Sequence, residues 1–271
     1  MDFKDKVVLV VGLARSGLSA AKVLTGLGAK VIANDIKDKD QLGEVYQELD
    51  SIGVEWALGI RPDEYLNRVD LVVISPAIAI DSPFVQKAIS MGIEVISEVE
   101  LAYRLCKAPI VAITGTNGKT TTTALVGEIF KAVPKQTYVV GNIGIPFVGI
   151  ANQTQKSHIV VVEISSFQLE AMPTFHPRVA AVLNVTEDHL NRHKTMENYI
   201  NLKASIFKNS TQSDWAILNA DDPISVSIAQ KTKAQVLLFS RTKKLSKGAW
   251  VEEDWLVLDV GQGKERVCKT Q

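Results

Sequence analysis

The sequence has 271 residues, of which 46% are hydrophobic and 22% charged, and its 30 lysine and arginine residues balance 30 aspartate and glutamate residues. These values exclude a disordered chain and suggest a globular protein of about two domains. A formal net charge of zero predicts neither a nucleic-acid partner nor a membrane-surface partner.

Short apolar runs alternate with helical patterns through the first hundred residues. Strands are predicted over 7–11, 29–33, 54–57, 71–74 and 94–96, and helices over 16–27, 41–49, 84–90 and 98–107. This alternation is typical of a Rossmann-like α/β domain built on a parallel sheet. The break at Ala108-Pro109 predicts that this domain covers residues 1–107.

The second half continues the alternation and predicts a second α/β domain over residues 108–271. Strands are predicted over 110–113, 138–140, 159–164, 179–183, 215–218 and 236–239, and helices over 121–130, 197–207 and 224–230. From residue 249 the pattern is strand-like, and the runs 255–260 and 265–268 flank a Gly-Gln-Gly turn. That arrangement predicts a β-hairpin at the end of the domain.

The cysteines and the start of the chain indicate a compartment. Cys106 and Cys268 form no CxxC pair, the first six residues lack a signal-peptide core, and no apolar run approaches membrane length. We therefore expect a reduced, cytoplasmic protein.

The segment GTNGKTTT, residues 115–122, lies between a predicted strand and a predicted helix. Glycines let the backbone approach an anion closely, and the helix N-terminus adds partial positive charge. Lys119 can reach the outer phosphates of a nucleoside triphosphate, and the Thr120 hydroxyl can bind Mg²⁺. Ile113 stands where the common pattern has a glycine, so this loop is a shorter variant. The segment predicts a P-loop ATPase-like domain; an ordinary glycine-containing turn is the alternative.

Residues 12–17, Gly-Leu-Ala-Arg-Ser-Gly, join the first predicted strand to the first helix and approximate the dinucleotide fingerprint. Ala14 replaces the second glycine, where a pyrophosphate needs the closest backbone approach, and this favours another nucleotide over NAD. Asp35 ends the second strand, where it suits a ribose or a base. Glycines that only allow tight packing of helix on strand are the alternative, and both interpretations stay open.

Further polar residues follow strands of the second predicted domain. Glu163 ends the apolar run 159–162, and His189 lies soon after the run 179–183. The carboxyl ends of parallel strands share one edge of a sheet, so both residues are candidate Mg²⁺ ligands near Lys119. The segment 219–223 either caps a helix or offers the Asn219 amide to an adenine edge. Pattern alone gives Lys203 as an exposed helical lysine and residues 141–146 as a simple turn.

Five motifs occur together in the second half of the chain. They are GTNGKTTT at 115–122, GNIGIP at 141–146, EISSFQLE at 163–170, NVTEDHL at 184–190 and NADDP at 219–223. In this order the chain resembles the Mur ligases of bacterial peptidoglycan synthesis. Residues 165–170 discriminate within that family, because other Mur ligases and folylpolyglutamate synthetase differ there, and they resemble the members that add D-glutamate to UDP-N-acetylmuramoyl-L-alanine.

The resemblance implies an ATP-dependent amide-bond ligase and gives roles to particular residues. Those implied to bind ATP are Gly115, Thr116, Asn117, Gly118, Lys119, Thr120, Thr121 and Asn219. Those implied to bind the UDP substrate are Ala14, Arg15, Ser16, Asp35, Asn142 and Ser165. Two Mg²⁺ ions would be held by Thr120, Glu163, His189 and Lys203, with Lys203 carbamylated by CO₂. The implied catalytic set is Lys119, Glu163, His189 and Lys203.

The resemblance further implies a bacterial cytoplasmic monomer whose substrates are ATP, D-glutamate and UDP-N-acetylmuramoyl-L-alanine. The family has a third, C-terminal domain that binds the amino acid and closes over ATP. We expect this chain to lack that domain and therefore to be a truncated ligase that is itself inactive. Two alternatives stay open: another ligase of the Mur or folylpolyglutamate type, and a nucleotide-binding fragment without catalysis.

Overall fold

The computed structural model describes residues 2–270 and divides the chain into two compact units. The first consists of the residues up to Lys107 together with Val140–Gln155 and Phe167–Phe175. The second consists of Ala108–Val139, Lys156–Ser166 and the residues from His176 onward. The first change of unit falls at Lys107, and two later segments return to the first unit. Domain limits of 1–107 and 108–271 stay a prediction.

The first unit contains a five-stranded parallel sheet, as the alternating pattern predicts. Its strands are β1 Val7–Val11, β2 Lys30–Asp35, β3 Glu55–Leu58, β4 Leu71–Ile74 and β5 Glu94–Ser97. Their order is β3-β2-β1-β4-β5, and each neighbouring pair is parallel. The order reverses beside β1, which is the switch point where open α/β sheets bind ligands at the carboxyl ends of their strands. Val8, Leu9 and Val10 are fully buried because helices cover both faces.

The second sheet has nine strands and combines parallel with antiparallel pairs. Its strands are β6 Ile110–Thr114, β7 Thr137–Gly141, β8 Ile159–Glu163, β9 Val179–Val182, β10 Trp215–Asn219, β11 Gln235–Ser240, β12 Gly248–Glu252, β13 Trp255–Asp259 and β14 Glu265–Lys269. Their order is β14-β13-β12-β11-β10-β9-β6-β8-β7. The strands from β8 to β12 are parallel, whereas β13 and β14 are antiparallel. The predicted hairpin is therefore confirmed.

Ten α-helices connect the strands in the described residues. They are α1 Arg15–Gly26, α2 Lys39–Leu42, α3 Glu44–Asp50, α4 Pro83–Ser90, α5 Glu98–Leu105, α6 Lys119–Lys131, α7 Val148–Ala151, α8 Leu190–His193, α9 Met196–Ala204 and α10 Pro223–Ser227. Short 3₁₀ helices cover Pro62–Arg68, Gln168–Ala171, Ser205–Phe207 and Ile228–Lys231. Within residues 2–270, no helix has the length and apolar character needed to cross a membrane.

The structure divides one predicted helix into two. The pattern over 41–49 predicts a single helix, but Gly43 adopts a φ of +55° and separates α2 from α3. Asp38 starts α2 earlier than predicted, because its side chain accepts the Gln41 N–H in a capping box. Glycine adopts positive φ at low steric cost, so the chain turns there rather than extending one helix.

Asp214 anchors the start of β10 within the second unit. Its buried carboxylate lies 2.6 Å from His176 Nε2 and 3.3 Å from Arg178 Nη1. The same carboxylate accepts the N–H and the hydroxyl of Thr211, both at 2.7 Å. Burial alone would raise the pKa of Asp214, but the hydrogen bonds from His176 and Thr211 outweigh it and lower the pKa to about 2. The ionised form therefore stabilises the fold.

We expect the Asp214→Asn variant to lose about 2 kcal/mol of unfolding free energy at pH 7. The unfolded pKa exceeds the folded one, so this contribution is complete above about pH 4 and disappears as the pH falls toward 2. Urea unfolding of both proteins between pH 7 and pH 3 measures it, with the exposed Asp254→Asn as the matched control. A difference between wild type and Asp214→Asn that stays constant over this range would contradict the assignment.

Candidate functional site

Four parallel strands of the second sheet, β8, β6, β9 and β10, end at one edge. Ile113 of β6 pairs with Glu163 of β8 and with Ala181 of β9, and Val182 of β9 pairs with Leu218 of β10. Because these strands run in the same direction, the segments that follow them begin side by side. This edge therefore brings together the GTNGKTTT, EISSFQLE, NVTEDHL and NADDP motifs.

Two glycines shape the turn at residues 115–118, which we call the phosphate loop. Gly115 has a φ of +154°, and a Cβ atom there would lie only 3.1 Å from Leu183 Cβ. Gly118 has a φ of +80°, in the left-handed region, immediately before α6 begins at Lys119. A helix leaves the N–H groups of its first turn without intrahelical acceptors. The N–H groups of residues 118–121 are therefore oriented to receive an anion.

The side chains around the phosphate loop hold it in place. The Lys119 ammonium donates to the Thr116 carbonyl at 2.8 Å, while Thr120 is exposed at the first turn of α6. The Thr116 hydroxyl accepts the Thr186 N–H at 3.0 Å and lies 3.2 Å from the Tyr199 hydroxyl. A lysine and an exposed hydroxyl thus stand at the helix N-terminus, as a triphosphate site requires.

Lys203 is buried beneath the phosphate loop, whereas a helical pattern alone predicts an exposed lysine. Only 1% of its surface is exposed, its ammonium donates to the Gly115 carbonyl at 2.8 Å, and it lies 4.6 Å from the centre of the Tyr199 ring. Burial, and then the positive charge of Lys119, lower the pKa of Lys203 to about 7, although Asp188 acts in the opposite direction. Much of this amine is therefore neutral near pH 7.

Glu163 and His189 occupy different environments. Glu163 is 1% exposed at the carboxyl end of β8. His189 is about half exposed, adopts a left-handed φ of +52° before α8, and has its Nε2 3.4 Å from Asp188. Among residues 2–270, no three His, Cys, Asp or Glu side chains cluster closely enough to hold a metal ion. Glu163, Asp188 and His189 therefore do not form such a cluster.

The sequence interpretation missed a buried polar pair next to this edge. His193 Nε2 lies 3.0 Å from the Ser166 hydroxyl, and its ring stacks on Tyr199 with centroids 5.0 Å apart. Tyr199 in turn contacts both Thr116 and Lys203. The spacing of Tyr199 and Lys203, four residues apart on α9, was the available signal, because such residues share one helix face.

The first unit contains a cavity of about 640 Å³ at the switch point of its sheet. Gly12, Ala14 and Asp35 contribute to its lining, which is mostly apolar. The Asp35 carboxylate accepts the N–H of Leu13 at 2.7 Å and that of Lys37 at 3.0 Å. Asp35 thus shapes the wall of the cavity through backbone contacts, and the cavity has the size of a typical small-molecule site.

The other predicted substrate residues of the first unit are Arg15, Ser16 and Asn142. Arg15 donates through its guanidinium to the Gly144 carbonyl, so it contacts the turn that carries the exposed Asn142. Ser16 is half-buried in the first turn of α1. The turn precedes α7, where the Val148 N–H donates to the buried Glu98 carboxylate at 2.6 Å.

Two remaining predicted residues belong to the second unit. Ser165 is half-buried two residues after Glu163. The Asn219 amide donates to the Leu183 carbonyl at 3.0 Å and accepts the Asp221 N–H at 2.9 Å. Asn219 therefore fixes the end of β9 as well as its own turn.

Comparison with family models identifies both halves of the chain. The Mur ligase middle domain matches residues 113–264, more than half of the sequence. The chain belongs to the Mur ligase family. The N-terminal domain of MurD-like Mur ligases matches residues 6–97. The phosphate loop and the cavity of the first unit therefore lie in two recognised domains of this family.

Two similar curated relatives carry the same name. The UDP-N-acetylmuramoylalanine–D-glutamate ligase of Clostridioides difficile (strain 630) is 49% identical over 262 residues, which cover 96% of this chain and 58% of that protein. The ligase of the same name from Caldanaerobacter subterraneus is 48% identical over 95% of this chain and 57% of its own length. The chain thus spans less than two thirds of these relatives.

Solved Mur ligase structures share the fold at low sequence identity. A UDP-N-acetylmuramate:L-alanyl-gamma-D-glutamyl-meso-diaminopimelate ligase from Neisseria meningitides aligns with a TM-score of 0.60 and 16% identity, covering 97% of this chain and 87% of that chain. The UDP-N-acetylmuramate-alanine ligase of Thermotoga maritima aligns with a TM-score of 0.52 and 21% identity, covering 88% of this chain and 53% of that chain. Both similarities support the α/β architecture.

The burial of Lys203 predicts an unusual dependence of stability on pH. Between pH 7 and about 10.5 the unfolded chain holds a proton on Lys203 that the folded chain has released, so the free energy of unfolding rises with pH. In CO₂-free buffer, this rise should reach about 1.4 kcal/mol per pH unit relative to a Lys203→Met variant. The exposed Lys208→Met serves as the control. If the free energy of unfolding changed with pH equally in wild type and Lys203→Met, the pKa of Lys203 would not be lowered by folding.

Proposed function

We propose that this Mur ligase joins D-glutamate to UDP-N-acetylmuramoyl-L-alanine and converts ATP to ADP and phosphate in doing so. The observation that carries the proposal is the placement of the phosphate loop, Lys119 and the buried Lys203 at one sheet edge. Relatives that are 45–49% identical to this chain and are named UDP-N-acetylmuramoylalanine–D-glutamate ligase support the choice of substrates. We infer a monomer in the bacterial cytoplasm, where ATP and the nucleotide-linked substrate are available.

The reaction begins with the binding of ATP at the start of α6. The N–H groups of the first helical turn and the Lys119 ammonium bind the phosphates, while the Asn219 turn receives the adenine. A carboxylate oxygen of the alanyl group attacks the γ-phosphorus, and the bond to the β-phosphate oxygen breaks to release ADP. Lys119 stabilises the negative charge that develops on the transferred phosphoryl group.

The acyl phosphate formed in this step is then attacked by the amine of D-glutamate. The neutral amine nitrogen adds to the acyl carbon, the bond from that carbon to the phosphate oxygen breaks so that phosphate leaves, and the nitrogen releases a proton to give the amide. The UDP part of the substrate is held by the cavity of the first unit, whose wall includes Ala14 and Asp35, and Arg15 and Ser16 follow Ala14 in the chain as further proposed contacts. Asn142 is the proposed contact to the reacting end of the substrate, and Ser165 is proposed as a further contact. Excluding water from this intermediate protects it from hydrolysis.

The residues at the sheet edge fit Mg²⁺ by their chemistry. Mg²⁺ prefers oxygen ligands and is usually bound by one or two carboxylates together with substrate phosphates, and this edge offers the Glu163 carboxylate at the end of β8 and the exposed Thr120 hydroxyl at the start of α6. Thr120 and the buried Glu163 would supply oxygens to one ion, and Glu163, His189 and Lys203 would serve a second. When bound, the ions would supply positive charge that reduces repulsion between the phosphates and the attacking carboxylate.

Lys203 suits this proposal only as a carbamate. A neutral amine adds to CO₂ and releases a proton, which converts a cation into an anionic oxygen ligand. The lowered pKa of Lys203, about 7, keeps the reactive neutral form available at cellular pH. The side chain is buried and its amine donates to the Gly115 carbonyl of the phosphate loop, which supports the proposal of a modification at this position.

The Lys119→Ala variant tests the ATP site. Removing a charged donor from the phosphates should weaken ATP binding by about 1.5–3 kcal/mol, which is roughly 10- to 150-fold. Calorimetric titration with Mg²⁺ and ATP measures the change. Lys131→Ala is the matched control, because Lys131 lies at the other end of the same helix and pairs with Glu128 at the surface. Equal ATP affinity in wild type and Lys119→Ala would overturn the assignment.

The Lys203→Ala variant tests the carbamate in a protein of the relatives' full length. We expect it to lose most ligase activity, and short carboxylic acids to restore part of it by replacing the missing ligand. Carbon-13 NMR with labelled bicarbonate should show a carbamate signal in wild type that is absent from the variant. Wild-type turnover by Lys203→Ala in CO₂-free buffer would show that the carbamate has no role.

A further inference from the structure

Asn184 makes several hydrogen bonds to the phosphate loop. Its side-chain oxygen accepts the N–H of Thr116 at 3.1 Å and that of Asn117 at 2.8 Å, and its side-chain nitrogen donates to the Asn117 carbonyl at 3.0 Å. Its own backbone carbonyl also accepts the Thr116 N–H at 3.0 Å. The side chain of one asparagine thus bonds to three consecutive peptide groups of the loop, to the N–H groups of two and to the carbonyl of the third.

These contacts determine which N–H groups can meet a phosphate. The N–H groups of Thr116 and Asn117 are already bonded to Asn184, whereas those of residues 118–121 lie at the start of α6, where a helix provides no acceptor. A bound triphosphate would therefore rest on the first turn of α6. The loop before it would act as a rigid support.

The NADDP motif holds Asn184 from the other side. Asn219 donates to the carbonyl of Leu183 at 3.0 Å, and the Asp222 carboxylate accepts the N–H of Val185 at 2.8 Å. The residues immediately before and after Asn184 are therefore both fixed by side chains at the end of β10. Hydrogen bonds therefore join the proposed adenine turn to Leu183 and Val185, and Asn184 between them bonds to the phosphate loop.

We propose that Asn184 is a positioning residue of the ATP site, which pre-orders the phosphate loop so that the start of α6 receives the triphosphate. The inference rests on the proposed function, since it assumes that the loop binds ATP. A loop that is already ordered loses less conformational freedom when the ligand binds, and this preorganisation contributes to affinity. The contribution should appear only for ligands that carry the outer phosphates.

The Asn184→Ala and Asn184→Ser variants test this role against a merely structural one. Three hydrogen bonds are lost, so ATP should bind this chain about 10- to 100-fold more weakly by calorimetry, whereas adenosine should bind with unchanged affinity. Asn201→Ala, which alters an exposed asparagine of α9 in the same unit, is the matched control and should change neither affinity. Circular dichroism verifies that each variant is folded.

Amide NMR of the wild-type chain gives a second test that needs no variant. The N–H groups of Thr116 and Asn117 should be protected from exchange without ligand and should change little on adding ATP. The N–H groups of residues 118–121 should show the large shifts. Fast exchange at Thr116 and Asn117, or large ATP-induced shifts there, would overturn the proposal even if the Asn184 variants fail to fold.

The outcomes separate this inference from the proposed function. Tight ATP binding by wild type with unchanged affinity in Asn184→Ala refutes the positioning role and leaves the ligase proposal standing. Equal losses for ATP and adenosine also refute it, because they indicate general damage to the fold. Absence of ATP binding in wild type overturns both proposals.

Discussion

Every polar contact at the candidate site depends on the parallel register of β8, β6, β9 and β10. Ile113 pairs with both Glu163 and Ala181, so these strands end at the same edge of the sheet. The polar segments that follow the strands therefore begin side by side. A shift of one residue in any strand would turn its side chains to the other face of the sheet. The apolar strands thus fix the site, although only residues at their ends, Glu163 of β8 and Asn219 of β10, are proposed to touch a ligand.

The buried lysine is the costly element of this arrangement. Removing an ammonium from water is unfavourable, and the structure offsets the cost only in part, through the Gly115 carbonyl and the Tyr199 ring. Loss of the Lys203 proton near neutral pH removes the rest of the desolvation cost, because the neutral amine carries no charge. A fold that tolerates such a group gains a reactive amine beneath its phosphate loop, which is what carbamylation requires.

Local patterns were sufficient for most elements of the fold and for the phosphate loop. Strands β1, β4 and β6 are continuous apolar runs. The glycine-lysine-threonine sequence at the start of α6 is enough to predict a phosphate loop there without tertiary information. The split at Gly43 and the four-residue helices α7 and α8 were beyond such patterns, because short elements form through tertiary packing rather than through helix propensity.

Side-chain partners were the least predictable part of the site. The burial of Lys203 depends on α9 packing beneath the phosphate loop, and the role of Asn184 depends on a segment that lies 67 residues from Asn117 in the sequence. A hydrogen bond across such a distance leaves no periodic signal in the sequence. The family resemblance singled out Lys203 but gave no role to Asn184, Tyr199 or His193.

An isotope-transfer experiment tests the central claim, formation of an acyl phosphate, most directly. UDP-N-acetylmuramoyl-L-alanine labelled with ¹⁸O in its terminal carboxylate is incubated with ATP, Mg²⁺, D-glutamate and the protein at its relatives' full length. We expect one ¹⁸O atom in each phosphate released, because the oxygen that attacks the γ-phosphorus departs with it. Amide product accompanied by phosphate free of ¹⁸O would contradict the proposed route.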